Sequence, residues 1–158
     1  MAQEKEKRII GRAEKLSFPE LGLVDIHARI DTGAKTSSIW TSYIEEREGV
    51  LLVTFFGKPS PYFTDEPVAF EQFDRTVVAT STGHTQTRYK VRLLVKLRGK
   101  KVRAWFTLAD RSTQVYPVLI GRNVLLGKFI GDVKKGKSLK EEERERTKRL
   151  RSELEEQE

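Results

Sequence analysis

Apolar and polar side chains alternate along much of the chain, and this two-residue period limits the possible folds more than any other feature. From Val24 to Ile30, the apolar positions 24, 26, 28 and 30 alternate with Asp25, His27 and Arg29. Such alternation is typical of a β-strand with one buried face. Comparable alternating or β-branched runs occupy residues 8–18, 37–44, 50–56, 75–82, 89–97, 102–108 and 115–120. The pattern predicts an all-β fold up to about Val133.

Turn-forming residues separate these predicted strands. The polar sequence Arg98-Gly99-Lys100-Lys101 predicts a turn within a hairpin of about residues 88–109. Three prolines between Gly57 and Phe73 indicate a loop or irregular excursion, because proline cannot donate a hydrogen bond to a sheet. One short helix is expected in this part of the chain, over residues 122–126.

Composition and charge divide the chain into three parts. We expect a charged leader over residues 1–8, one folded domain over residues 9–133, and a charged tail over residues 134–158 that is helical from about residue 139. The tail has nine Lys or Arg against eight Glu, so +6 of the formal charge of +7 belongs to residues 1–133. A basic domain favours acidic partners, although ordinary solubility charge explains the same composition.

Composition also disfavours several classes of protein. The chain has no cysteine, which excludes disulfides and thiolate chemistry. No apolar run is long enough to span a bilayer and no signal peptide is recognisable, so a cytoplasmic protein is expected. His27 lies on a predicted strand and His84 at a predicted hairpin tip, which is no credible zinc-ligand set. Since no phosphate-binding glycine loop occurs either, we expect no metal and no other cofactor.

The most informative segment contains Asp31-Thr32-Gly33-Ala34. An apolar strand leads into Asp31, and a second strand leaves the turn. Alone, this motif could be an Asx-type turn in which the carboxylate only ties down the backbone. Two further segments follow it in order. They are the polar hairpin tip Thr80–Thr85 and the apolar run Val118–Ile120, which continues into Gly121-Arg122-Asn123.

This ordered set resembles the retropepsin-like aspartic peptidases, which carry a catalytic Asp-Thr-Gly-Ala, a Gly-tipped flap hairpin and an apolar-apolar-Gly-Arg-Asn turn. The blocks at 31–38, 107–112 and 116–122 are similar to a bacterial and archaeal family labelled ATP-dependent zinc proteases. The resemblance covers about residues 9–133 and implies a closed, retropepsin-like β-barrel. It departs in the tail and at Ile39-Trp40-Thr41, where a small or polar continuation is expected. Packing into the core is the expected role of Trp40.

The resemblance also implies roles for individual residues. The catalytic turn would be Asp31, Thr32 and Gly33; the substrate contacts would be Ala34, Gly83 at the flap tip and His84; and the structural supports would be Gly121 and Arg122.

Peptide hydrolysis by carboxylates needs two of them sharing one proton, one as base towards water and one as acid towards the carbonyl. Since the chain has a single Asp-Thr-Gly, the second carboxylate must come from another copy. The sequence therefore predicts a homodimeric aspartic peptidase, and the family's association with glutamate ligases suggests acidic or glutamate-tailed substrates. Two alternatives remain: a non-catalytic module of the same fold that binds an acidic protein, or a nucleic-acid-binding surface, for which no motif is recognisable.

Overall fold

The computed structural model describes residues 6–132, 134–135, 148–149 and 152. Most of the predicted leader and of the predicted tail helix therefore lies outside the described residues. Within the described ranges the strands are β1 (Arg8–Ile10), β2 (Ala13–Phe18), β3 (Leu23–Ile30), β4 (Ser37–Arg47), β5 (Val50–Phe55), β6 (Val68–Phe70), β7 (Phe73–Ala79), β8 (Thr85–Leu97), β9 (Lys100–Ala109), β10 (Val118–Ile120) and β11 (Phe129–Gly131). The helix α1 spans Arg122–Leu125, and Pro19–Leu21 form a single 3-10 turn.

Six strands close into a barrel in the order β10, β3, β2, β8, β9 and β4, with β4 pairing back onto β10. The short strand β10 closes the barrel because it lies parallel to β3 on one side and antiparallel to β4 on the other. Val118 is opposite Ala28 in the first pairing and opposite Ile39 in the second. The expected all-β fold with a closed, retropepsin-like barrel is confirmed.

The barrel interior is filled by the apolar half of the alternating strands. Phe18 and Phe106 meet edge to face inside it, with ring centroids 5.5 Å apart. Along β8 the buried side chains are Val91, Leu93, Val95 and Leu97, at alternate positions. Each such fully buried apolar side chain contributes roughly 1.5–3 kcal/mol to folding. The core therefore follows directly from the two-residue period of the sequence.

Two ribbons extend from barrel strands. The second half of β4 pairs with β5, and β5 pairs with β6. The first half of β8 pairs with β7, with Phe73 opposite Val91 and Ala79 opposite Thr85. We call this second pair of strands, with its turn at residues 80–84, the flap ribbon. The predicted hairpin between β8 and β9 is confirmed, and its register runs from Lys90 opposite Thr107 to Leu97 opposite Lys100.

The structure differs from the sequence pattern at a few positions. The predicted strand over residues 8–18 is divided, and β1 leaves the barrel to pair with β11 in a separate two-stranded sheet. In β3, Asp25 has a φ of +54°, which interrupts the alternation. Val24 is consequently 65% exposed and does not belong to the core. The proline-containing excursion holds the short strand β6, and the predicted short helix is confirmed. No helix among the described residues is long and apolar enough to cross a membrane.

Candidate functional site

The backbone of two distant segments fixes the position of Asp31. Asp31 follows directly after β3, and its N–H donates to the carbonyl of Ile120 on the neighbouring strand β10 at 2.9 Å. The next turn closes when Ala34 N–H donates to the Asp31 carbonyl at 3.3 Å. The side chain of Asp31 is half-buried. A regular strand thus delivers the carboxylate into a turn whose backbone is hydrogen-bonded on both sides.

The Asp31 carboxylate is oriented by the residue two positions later. Gly33 N–H donates to Asp31 Oδ1 at 3.0 Å. A Cβ at position 33 would stand 3.3 Å from the same oxygen, closer than most side chains tolerate, so glycine suits this position. Thr32 and Gly33 are exposed, and Ala34 is half-buried. The turn that was predicted to be catalytic therefore presents an oriented carboxylate at an accessible surface.

Gly121 lies directly beneath this turn. A Cβ built on Gly121 would stand 2.3 Å from the carbonyl oxygen of Thr36 and 2.8 Å from that of Ala34. Contacts this short with backbone atoms have no room to relax. The segment after β10 therefore crosses the Asp31 turn in direct backbone contact, and only glycine permits that approach.

Arg122 supports the turn through its backbone. Its N–H donates to the Ala34 carbonyl at 2.8 Å, and the following Asn123 N–H donates to the Lys35 carbonyl at 3.3 Å. The Arg122 side chain itself is exposed. Any residue other than proline could supply the same donor, so the identity of the Arg122 side chain is not explained by this contact.

A polar cluster around the buried Ser37 hydroxyl, missed in the sequence analysis, joins the two crossing segments. The Ser37 hydroxyl accepts a hydrogen bond from Gly121 N–H at 3.0 Å and donates to Asn123 Oδ1 at 2.7 Å. The Asn123 amide nitrogen then donates to the Trp105 carbonyl on β9 at 2.8 Å. Ser37 is fully buried, so its two hydrogen bonds satisfy a hydroxyl group that water cannot reach, whereas the bond from Asn123 to Trp105 is exposed. The sequence did contain a signal for Ser37 and Asn123, since both residues lie inside the motifs on which the resemblance rests.

Gly83 and His84 lie elsewhere, at the tip of the flap ribbon. Thr80 N–H donates to the His84 carbonyl at 2.8 Å, and Gly83 N–H donates to the Thr80 carbonyl at 3.1 Å. Gly83 has a φ of +83°, a conformation that glycine adopts without strain. Both residues are exposed. In the described part of the chain, the structure brings Asp31–Ala34 together with Gly121 and Arg122, and no hydrogen bond joins the flap tip to them.

Trp40 packs against the barrel as the sequence predicted. Its ring meets Phe56 edge to face at 6.4 Å, and it fills the space where a Cβ of Gly57 would come within 2.5 Å. The buried indole N–H makes no hydrogen bond within the described residues. It lies near Asp110, whose pKa is held below its usual value mainly by the hydrogen bond from Ser112 N–H, with a smaller contribution from Trp40.

The metal-ligating side chains of the described residues do not converge. No group of three or more His, Cys, Asp or Glu side chains in these ranges is arranged to hold a metal ion.

Comparison with known proteins shows which family this chain resembles. A family model described as "Retropepsin-like aspartic endopeptidase RimB" matches residues 9–142. A protein of Desulfotalea psychrophila named "Probable alpha-L-glutamate ligase" is 35% identical over 136 residues, which is 84% of this chain and 29% of the relative. A protein of the same name from Shewanella pealeana is 34% identical over 130 residues, 80% of this chain and 28% of the relative.

The chain thus spans less than a third of the length of these curated relatives. Among solved structures, a Legionella pneumophila protein of unknown function superimposes with a TM-score of 0.60 at 25% sequence identity. The superposition covers 82% of this chain and 96% of the other.

Proposed function

The chain belongs to the RimB-like family of retropepsin-like proteins, and from this premise we propose that it is an aspartic peptidase that acts as a homodimer. Its catalytic group would be the Asp31 carboxylate of each copy. The observation that carries the proposal is the orientation of Asp31 by Gly33 N–H at 3.0 Å, in an accessible turn that Gly121 supports from beneath. A purely structural Asx turn would not need this second crossing segment.

Two other strand-end carboxylates, those of Asp25 and Asp110, stand far from Asp31. Asp25 lies six residues before Asp31, which corresponds to roughly 17–20 Å of extended chain along β3. Asp110 follows β9, and the strands β4 and β10 lie between β9 and β3, so it is about 14 Å away across the sheet. Two carboxyls that share a proton must be within hydrogen-bonding reach. A second copy of Asp31 is the partner that fits this requirement.

The proposed reaction is hydrolysis of a peptide bond. One Asp31 carboxylate removes a proton from a water molecule, whose oxygen bonds to the carbonyl carbon, while the other carboxyl donates its proton to the carbonyl oxygen. Collapse of this tetrahedral intermediate breaks the C–N bond, and the leaving nitrogen takes up a proton. Gly33 N–H keeps the carboxylate plane fixed during these transfers.

We propose acidic or glutamate-tailed peptides as substrates. The formal charge of +7 attracts such chains, and the relatives named as probable glutamate ligases connect the family with glutamate chemistry. Coulombic attraction of this kind raises the rate of encounter, and it weakens as ionic strength increases.

A second candidate function is a non-catalytic module that binds acidic chains. It is favoured by the names of the relatives, because the matched segment makes up less than a third of proteins that are named as ligases. In that case the barrel would bind a glutamate-bearing chain, and Asp31 would only hold its own turn.

The substitution Asp31→Asn separates the two functions. Asparagine keeps the oxygen that accepts from Gly33 N–H, so we expect an intact fold, and activity on acidic peptides should fall by at least roughly a hundredfold. The matched control is Asp25→Asn, because Asp25 is exposed and asparagine tolerates its φ of +54°. The control should retain activity, and the wild-type rate should be unchanged after treatment with EDTA.

Product formation would be measured by mass spectrometry of defined glutamate-containing peptides, beside circular dichroism of each variant. Full activity in Asp31→Asn would contradict the peptidase proposal. If the wild type cleaves nothing, yet both wild type and Asp31→Asn bind the peptide equally, the binding module is the correct function.

A further inference from the structure

A cavity of about 660 Å³ opens at the end of the barrel where β8 turns into β9. Its volume is in the range of roughly 300–1,000 Å³ that ligand sites occupy. It is distinct from the Asp31 turn, and none of the predicted site residues lines it. Its walls are formed by Glu6, Lys7, Arg8, Gly99, Lys100, Lys101, Val102, Gly127 and Lys128. We call it the cationic cavity, since five of these residues are basic and one is acidic.

Two of the five cations are held in place by backbone oxygens. The Arg8 guanidinium donates to the Arg98 carbonyl at the turn of the β8–β9 hairpin. Lys100 Nζ donates to the Lys128 carbonyl at 3.2 Å and lies 5.8 Å from the centre of the Phe129 ring. These contacts fix the side chains without neutralising them, because a carbonyl oxygen carries no formal charge.

The remaining three cations, Lys7, Lys101 and Lys128, are exposed at the rim. Their ammonium groups make no hydrogen bond or ion pair with another described residue. The ion pairs of the described chain instead join Arg47 to Glu45, Arg75 to Glu46, Arg98 to Glu14 and Arg103 to Glu20. Like charges around a concave wall repel one another and focus a positive field, which a bound anion would relieve.

The chemistry of the wall favours a peptide carboxylate over a nucleic acid. Four of the five cations are lysines, which act as flexible point charges, whereas arginine predominates where phosphate is recognised by two parallel hydrogen bonds. Among the described residues no aromatic side chain lines the cavity, so these walls offer no face on which a base could stack. Several separate carboxylates on one flexible chain match several separate ammonium groups.

The cavity lies at a distance from the Asp31 turn that one peptide can span. The polar cluster beneath that turn contacts β9 at the Trp105 carbonyl, four residues from Lys101 and six from Gly99. Extended strand geometry makes this separation roughly 14–20 Å along β9, the length of about four to six extended residues. The flap tip is at the opposite end of β8, which is 13 residues long.

We propose that the cationic cavity is a binding site for the acidic segment of a peptide, separate from the Asp31 turn. Its role in anchoring substrate rests on the proposed peptidase function, whereas the binding itself does not. The site holds several carboxylates of a glutamate-rich chain, and residues about four to six positions away would then reach the level of the Asp31 turn.

The test measures binding in a chain that does not need to be active. A fluorescein-labelled oligoglutamate peptide is titrated with full-length Asp31→Asn protein, and fluorescence anisotropy gives the Kd. Adding Lys101→Glu and Lys128→Glu should weaken binding by at least about tenfold, because two rim charges are reversed. The matched control adds Lys15→Glu and Lys58→Glu, which make the same change in net charge at exposed positions outside the cavity. The control should change the Kd by no more than about twofold at 0.15 M salt.

Equal loss of affinity in both double variants would overturn the proposal, because net charge alone would then explain binding. Tighter binding of an oligouridylate of equal length, lost in the cavity variant, would overturn it in favour of a nucleic-acid site. Since Asp31→Asn is used throughout, a failure of the peptidase proposal leaves this measurement interpretable. Circular dichroism of each variant excludes loss of the fold as the cause.

Discussion

At the scale of single residues, Gly121 is a position at which backbone contacts leave no room for a side chain. Its backbone lies against the carbonyls of Thr36 and Ala34, and its N–H donates to the Ser37 hydroxyl. The Asp31 carboxylate is oriented by Gly33 N–H, and the crossing segment supports the turn that holds both residues. The site therefore depends on the absence of a side chain at position 121 as much as on the Asp31 carboxylate itself.

We predict that Gly121→Ala destabilises the protein by about 1–3 kcal/mol or more, because the new Cβ would overlap backbone atoms that cannot move independently. Gly131→Ala is the matched control. Gly131 is the last residue of β11, and a Cβ there would meet no atom within 4 Å. Urea unfolding followed by tryptophan fluorescence gives both free energies of unfolding. Equal stability of the two variants would show that the backbone at Gly121 packs less tightly against the carbonyls of Thr36 and Ala34 than these distances indicate.

At the scale of elements, the base of the flap ribbon is tied to the β4–β5 hairpin by one carboxylate. Glu46 on β4 accepts two hydrogen bonds from Arg75 Nη1 on β7, at 2.8 and 3.0 Å, and a third from the Tyr89 hydroxyl on β8 at 3.2 Å. The Arg75 and Tyr89 side chains therefore connect the ribbon that carries Gly83 to a strand of the barrel. Burial raises the pKa of Tyr89, and the hydrogen bond to Glu46 raises it further.

This cluster predicts an alkaline limit to stability. Because the pKa of Tyr89 in the folded protein is above its usual value of 10.0, its contribution to stability is complete below pH 10 and is lost as pH rises through the folded pKa. Tyr89→Phe should therefore lose less stability than the wild type between pH 9 and about pH 11. Tyr43→Phe is the control: the hydrogen bond to Glu45 raises the pKa of Tyr43 as well, but Tyr43 is 52% exposed, so solvent screening makes its contribution to stability smaller.

Urea unfolding at each pH gives the comparison. The Tyr89→Phe curve is expected to be flatter than those of the wild type and the Tyr43→Phe control. If the Tyr89→Phe protein loses as much stability as the wild type, the contacts at the base of the flap ribbon do not favour the neutral form of Tyr89.

At the scale of the whole molecule, the proposed activity depends on two copies. We predict that activity per chain rises with concentration until the dimer saturates, because one chain carries half of the proposed site. The interface is expected around Asp31–Ala34, with the flap ribbon of each copy near the substrate. Truncation after Lys135 should leave both dimer and activity, since the tail has few apolar residues.

Sedimentation velocity over a dilution series, run beside the peptide assay, measures both quantities. The dissociation constant of the dimer should match the concentration at which activity is half-maximal. A strict monomer with full activity would contradict the shared site.

Local sequence patterns determined much of this protein. The two-residue period predicted the strands of the barrel, because burial of one face acts along each strand independently of its partners. The polar turn at Arg98 and Gly99 predicted the β8–β9 hairpin for the same local reason. The run around Asp31 was recognisable as a turn between two strands, and its glycine agrees with the contact to the carboxylate. The alternation fails at Val24, because Asp25 has a positive φ that shifts the pattern of buried and exposed side chains. No neighbouring residue type in the sequence indicates this shift.

Only the tertiary structure decided which segments meet. The Ser37 hydroxyl and Gly121 N–H are 84 residues apart along the chain, and they meet because β10 lies between β3 and β4 to close the barrel. The cationic cavity likewise joins residues near position 7, the β8–β9 turn and the segment after α1. The two-residue period of the sequence does not indicate which distant segments meet, because closure of the barrel depends on the balance of all its strand contacts. The sequence therefore identified the Asp31 turn, while the fold alone determined what supports it and where the positive charge converges.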